Sequence, residues 1–169
     1  MVRRMDYEFC SGLGFDVHSF SDEVAETIRL CGVDIPFHRK LKGHSDADVA
    51  LHALTDAIYG AIGAGDIGQH FPPSNDDFKN MDSAVFLEHS LSLVRAEKGE
   101  LVNADITLIC EEPKIGPYRP YIKERLSSLL YLDKRRVNIK ATTTEQLGFT
   151  GRKEGIAAQA VVSIAIPID

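Results

Sequence analysis

The chain has no tryptophan, only three cysteines, and fewer basic than acidic side chains. Each shortage excludes a class of protein. Cys10, Cys31 and Cys110 are odd in number, widely spaced and without a C-x-x-C pair, which argues against a disulfide framework and against a cysteine zinc site. A reducing compartment is the better expectation. Long apolar runs are also missing. The most apolar stretch, residues 156–168, is interrupted by Gln159 and Ser163 and broken by Pro167, too short and too mixed to cross a bilayer. The opening MVRRMDYEF has basic residues with no apolar core behind them, so it does not read as a secretory signal. A cytoplasmic location with no membrane partner is expected. Lys and Arg number 19 against 25 Asp and Glu, a net charge of −6. Binding a long nucleic acid means neutralising many phosphates, so no nucleic-acid partner is expected. A small phosphate ester held at one local site is compatible with that balance. Nucleotide and nucleophile signatures are absent too: there is no GxxxxGK[ST], no GxGxxG between a strand and a helix, and no GxSxG.

What is present fits one domain over residues 1–169, with 1–10 an amino-terminal extension of no assigned role. Residues 27–35 mix β-branched and apolar side chains and stop at Pro36, which predicts a strand. Residues 45–62 read as a helix. Val49, Ala50, Ala53, Leu54, Ala57, Ile58 and Ala61 recur at helical spacing, Ser45 and Asp48 form a capping-box pattern, and Gly63 follows. Further helices are predicted over 82–97 and 118–130, and strands over 103–109, 136–143 and 158–166. The alternation gives the fold class α/β (α+β two-layer), a mixed β-sheet packed on one side by about three helices. Residues 63–81 and 142–155 fit no element; a connection as long as the first is usually functional or disordered.

Four groups of residues carry potential chemistry. Asp16 and His18, two apart in GFDVHSF, share one side of an extended segment. Alone, a turn-forming Asp beside an incidental His accounts for them. His44, Asp48, His52 and Asp56 recur every four residues and put His52 on the polar stripe of a helix. A solvated stripe with a local Asp48–His52 pair accounts for that. Taken together, Asp16, His18 and His52 make three N/O ligands with a fourth position open, the arrangement of a catalytic zinc site. His44 and Ser45 stand at the predicted helix start, where free N–H groups and the helix dipole favour a phosphate; Ser45 also reads as a plain cap. Thr142, Thr143, Thr144 and Glu145 offer neutral phosphate donors and a hard oxygen ligand for Mg2+ or Mn2+, or simply a threonine-rich strand end.

The strings GFDVHSF, GHSDADVALHALTDAIYGAIGAGDIGQHFPPS and KATTTEQLGFTGRKEGIA, in this order over residues 12–166, resemble the 2-C-methyl-D-erythritol 2,4-cyclodiphosphate synthase family. The resemblance implies a lyase of the non-mevalonate isoprenoid pathway. Its reaction would convert 4-diphosphocytidyl-2-C-methyl-D-erythritol 2-phosphate, a small cytidine diphosphate, to the cyclic diphosphate and CMP. It implies a homotrimer with active sites between subunits. Zn2+ would be held by Asp16, His18 and His52, and Mg2+ or Mn2+ by Glu145 and the substrate phosphates. His44 and Thr143 are implied as catalytic donors, and Ser45 as a phosphate contact. Asp66, Ile67 and Gly68 would hold the methylerythritol part, with Phe71, Pro72, Pro73, Ser74 and Asn75 on the same loop. Lys114 would lie in a cytidine pocket around residues 110–116, and Thr142 and Thr144 at the diphosphate. Phe149 and Arg152 match a position near the trimer axis, where an apolar cavity can hold an isoprenoid diphosphate. The chain departs from the family in reading GLGFD at its first motif and FPPSND where FPDTDP is usual, so Pro73 and Asn75 replace acidic residues. Three other functions remain compatible with the residues: a zinc-dependent nucleotide-diphosphate phosphodiesterase, a non-catalytic isoprenoid-diphosphate binding protein, and a purely structural zinc protein.

Overall fold

The computed structural model describes residues 6–168. Its longest element is a strand, β1, Asp6–Val24. Between Gly12 and His18 the β1 positions that face the helices are small or polar: Gly12, Gly14, Asp16 and His18. Its apolar residues Phe9, Leu13 and Phe15 point the other way and are 71%, 60% and 56% exposed. Leu13, Phe15 and Val17 alternate with Gly14, Asp16 and His18, but the apolar side is the exposed one, the reverse of the usual half-buried strand.

Strand β1 pairs antiparallel with β7, Gly155–Ile168, from Asp6 opposite Ile168 to Ser19 opposite Gly155. Residues Asp6 to Cys10, part of the segment with no assigned role, are therefore in the sheet; residues 1–5 of that segment lie outside the described residues. Strand β5, Glu100–Ile109, pairs antiparallel with β7, and β6, Val137–Thr142, pairs parallel with β5. A short β4, Arg39–Leu41, closes the order β4-β1-β7-β5-β6. This is the expected mixed sheet. Helices α1 (Val49–Ala61), α3 (Ser83–Ala96) and α4 (Arg119–Leu130) cover one face of it. Two single turns, α2 (Ile67–His70) and α5 (Gly148–Gly151), interrupt the segments that fit no element. No helix among the described residues is long and apolar enough to cross a membrane.

Residues 27–35 form a hairpin rather than one strand. Strands β2, Thr27–Leu30, and β3, Val33–Pro36, pair antiparallel about Cys31 and Gly32, whose φ angles of 56° and 72° are those of a tight two-residue turn. The start of α1 is also corrected. The helix begins at Val49, and its N-cap is Asp48, not Ser45. Asp48 is fully buried. Its carboxylate accepts Leu51 N–H at 3.1 Å, Cys31 N–H at 2.9 Å and Gly32 N–H at 2.6 Å. Burial pushes its pKa up, against the three N–H groups that favour the anion. One side chain thus caps the helix and fastens the hairpin turn to it. His44 and Ser45 therefore precede the helix start and do not stand at it.

Helix α1 lies unusually close to β1. A Cβ on Gly12 would fall 1.8 Å from the carbonyl oxygen of Ala57, and one on Gly14 1.8 Å from that of Ala53. Glycine on the strand and alanine on the helix let the two backbones touch, which sets His52 directly over Asp16 and His18.

Candidate metal centre

Asp16 and His18 come from β1, and His52 from one turn into α1. Asp16 Oδ2 lies 3.0 Å from His18 Nε2 and 3.0 Å from His52 Nδ1, and the two nitrogens are 3.0 Å apart. This is the one group of three ligating side chains found among the described residues. The far nitrogen of each imidazole has its own partner. His18 Nδ1–H donates to the Lys42 carbonyl, and His52 Nε2 is 2.8 Å from Ser83 Oγ and 3.1 Å from Ser45 Oγ. The other nitrogen of each ring is therefore left facing Asp16, where its lone pair could serve a metal. Tetrahedral zinc with ligand distances of about 2.0–2.2 Å wants its ligand atoms about 3.3–3.6 Å apart, so the donor set fits such an ion after a small outward shift.

The electrostatics agree. Burial opposes a charge on Asp16, but hydrogen bonds and charge from His18 and His52 outweigh it and hold the carboxyl well below its usual range. Burial likewise opposes a charge on His18, and the hydrogen bond and charge of Asp16 outweigh that, raising its pKa. The carboxylate and the two imidazoles converge on one compact point.

The cluster opens onto a cleft of about 390 Å3. His44, Ser45, Ile67, Gly68, Phe71, Pro73 and Asn75, all foreseen as site residues, line it, and so do Phe78, Lys79 and Phe86, which were not foreseen. Asp66, Pro72 and Ser74 do not line it. Asp66 instead caps α2, accepting Gln69 N–H at 3.0 Å. Asp56, one turn beyond His52, accepts Ile67 N–H at 2.7 Å and so ties the loop to α1.

The remaining foreseen residues gather elsewhere. Lys114, Thr142 and Thr143 line a separate pocket of about 300 Å3 with Cys110, Pro113 and Gly116. Thr143 Oγ1–H donates to Glu145 Oε1 at 3.2 Å. Thr144 serves the turn itself: its hydroxyl donates to the Leu147 carbonyl and sits 2.9 Å from Thr150 Oγ1. Glu111, not foreseen, accepts Thr144 N–H and Gln146 N–H, both at 3.3 Å, and holds the loop from below. Glu145 and Gln146 adopt φ of 53° and 65°, left-handed values that cost non-glycine residues energy. Phe149 is partly exposed in α5, and Arg152 just after it is tied to Glu154 by contacts of 2.9 and 3.1 Å. The two pockets share no residue. They stand at the same end of the sheet, since Val17 pairs with Ala157, Ala157 with Ile109, and Ile109 with Thr142. Three strand spacings separate them, about 14 Å. Asp16 and His18 face the helices, whereas Thr142 faces the open side.

Comparison with known proteins matches this arrangement. The YgbB family model covers residues 9–165. The bifunctional enzyme IspD/IspF of Gluconobacter oxydans is 56% identical over 156 residues, which is 92% of this chain and 40% of that relative. The chain thus spans about two-fifths of the length of the curated relatives it matches. Among solved structures, the bifunctional IspDF of Campylobacter jejuni superposes with a TM-score of 0.90 at 42% identity, over 95% of this chain and 43% of that one. The CDP complex of IspF from Plasmodium falciparum gives 0.81 at 32% identity, over 95% of this chain and 97% of that one. A 2C-methyl-D-erythritol-2,4-cyclodiphosphate synthase gives 0.81 at 38% identity, over 90% and 97%. With the metal triad, the close-packed β1–α1 pair and a family match over nearly its whole length, this chain belongs to the YgbB family.

Proposed function

We propose that the chain closes the ring of 2-C-methyl-D-erythritol 2,4-cyclodiphosphate. A 2-phosphate oxygen of the diphosphocytidyl substrate attacks the β-phosphorus, a new P–O–P bond forms, the bond from the β-phosphorus to the bridging oxygen breaks, and CMP leaves with that oxygen. The substrate carries both nucleophile and leaving group, so the protein's task is to fold it back and balance its charge. The observation that carries this reading is the Asp16–His18–His52 triad at the mouth of the cleft lined by Ile67 and Gly68. His44 and Ser45 on that cleft would donate to the phosphates, and the loop at Ile67 and Gly68 would hold the methylerythritol part. Thr143 would donate to the diphosphate as charge builds on it, and the pocket at Lys114 would take cytidine. When bound at the triad, a zinc ion supplies Lewis-acid charge and a template for the phosphate oxygens. Glu145 offers one carboxylate, which suits a Mg2+ or Mn2+ otherwise held by substrate phosphates.

We further infer a homotrimer with sites shared between neighbouring copies. Two observations support it: the exposed apolar face of β1, and the separation of the two pockets by three strands at one end of the sheet, with no residue in common. Incubation with the diphosphocytidyl substrate, Zn2+ and Mg2+, followed by phosphorus NMR, is expected to show CMP and the cyclic diphosphate together. Hydrolysed phosphates in place of the cyclic product would overturn ring closure in favour of a zinc phosphodiesterase.

A further inference from the structure

We propose that Ser83 and Asp46 are positioning residues for the metal centre, holding His52 so that its Nδ1 faces the metal position. The inference rests on the Asp16–His18–His52 reading above. Ser83, the first residue of α3, is fully buried. Its hydroxyl donates to Asp46 Oδ1, and its N–H donates to Asp46 Oδ2 at 3.2 Å. An ionised carboxylate only accepts, so the hydroxyl proton goes to Asp46 and Ser83 Oγ is left as the acceptor for His52 Nε2–H, 2.8 Å away. The Nε2 proton is thereby directed to Ser83, and Nδ1, 3.0 Å from Asp16 Oδ2, is the nitrogen left to give its lone pair to a metal. Asp46 is itself steadied by Arg29 Nε at 3.4 Å. Ser45 Oγ, at 3.1 Å from the same nitrogen, is a weaker substitute, because it lies on the cleft and already accepts Ala47 N–H at 3.2 Å. The Lys42 carbonyl orients His18 in the same way. That acceptor is backbone and no side-chain change removes it, whereas the His52 relay runs through two side chains that can be changed.

The test is Zn2+ affinity of the full chain stripped of metal, measured by competition with a chelator, together with the visible spectrum of the Co2+-loaded form. Ser83→Ala is expected to weaken Zn2+ binding about 10–100-fold and to shift the Co2+ bands, while the melting temperature of the metal-free form changes little. Ser83→Thr, which keeps the hydroxyl, is expected to restore the affinity. Asp46→Asn is expected to weaken binding, and the double variant to be no worse than Ser83→Ala alone. Wild-type affinity and spectrum in Ser83→Ala would overturn the relay. So would a loss that Thr does not restore and that follows a fall in the metal-free melting temperature. Should Ser83→Ala not fold, wild-type affinity in Asp46→Asn overturns it. His52→Ala separates the two readings: metal lost there but kept in Ser83→Ala sinks the relay alone, whereas a wild-type chain that takes up no Zn2+ sinks the metal centre and the relay together.

Discussion

Asp16 and His18 respond to pH in opposite directions, and that gives the metal-free and zinc-bound chains different pH profiles. The folded pKa of Asp16 is lowered from 3.8, so its contribution to stability is present above that value and is lost as pH falls through the depressed one. The folded pKa of His18 is raised from 6.5, so its contribution is complete below 6.5 and is lost as pH rises through the raised value. The pair therefore stabilises the metal-free chain most between these two ordinary values. Zinc must displace the His18 proton, so its affinity rises over the range in which the metal-free chain weakens. Melting curves with and without a chelator, taken from pH 6 to 8, are expected to diverge as pH increases; parallel curves would argue against the triad as the ligand set. Asp48 makes a separate test. Asp48→Ala removes a cap and leaves the buried N–H groups of Cys31 and Gly32 without an acceptor. The expected cost is about 3 kcal/mol, or a melting temperature lower by roughly 6–12 °C. The triad was legible in the sequence because its three members sit in short motifs whose spacing already puts them on one side of a strand and a helix. Ser83 and Asp46 were not, because neither sits in a motif with a ligand's chemistry and they meet only where the segment before α1 pairs with the segment before α3, through Asp46 N–H to the Met81 carbonyl at 3.1 Å.

At the scale of elements, the contact between β1 and α1 decides where the ligands fall. Gly14→Ala would put a methyl group 1.8 Å from the Ala53 carbonyl oxygen, backbone that can yield only if the whole helix backs away from the sheet. His52 lies on that helix and Asp16 and His18 on that strand. The substitution is therefore expected to reduce zinc affinity as well as thermal stability, although it touches no ligand. Unchanged zinc binding in a folded Gly14→Ala variant would show that the close approach does not set the triad. The same pair explains what the sequence concealed. Val49 to Ala61 announced its helix through regular apolar spacing, but β1 turns Gly12, Gly14, Asp16 and His18 to the helix and Phe9, Leu13 and Phe15 outward, so its alternation points to the wrong face as the buried one. The β2–β3 hairpin was hidden differently: its Cys-Gly turn is only two residues long and lacks the Asn-Gly or Asp-Gly signal, so the two short strands read as one.

At the scale of the molecule, a sheet with Phe9, Leu13 and Phe15 exposed on its free face is half a core. The proposed homotrimer is expected to sediment as three chains of 18.7 kDa, and Phe15→Lys as a folded monomer. The monomer should keep its zinc and lose its turnover; a variant that remains trimeric would place the interface elsewhere. The separation of the triad from Thr143 by three strands then becomes a statement about heredity within the assembly. Each copy would donate one half of a site to one neighbour and receive the other half from the second. Two dead chains, His52→Ala and Thr143→Ala, could rescue one another: equal mixing by unfolding and reassembly would leave about a quarter of the sites with both halves sound. Defects in this protein would then be recessive or dominant according to which half they strike and with whom they assemble.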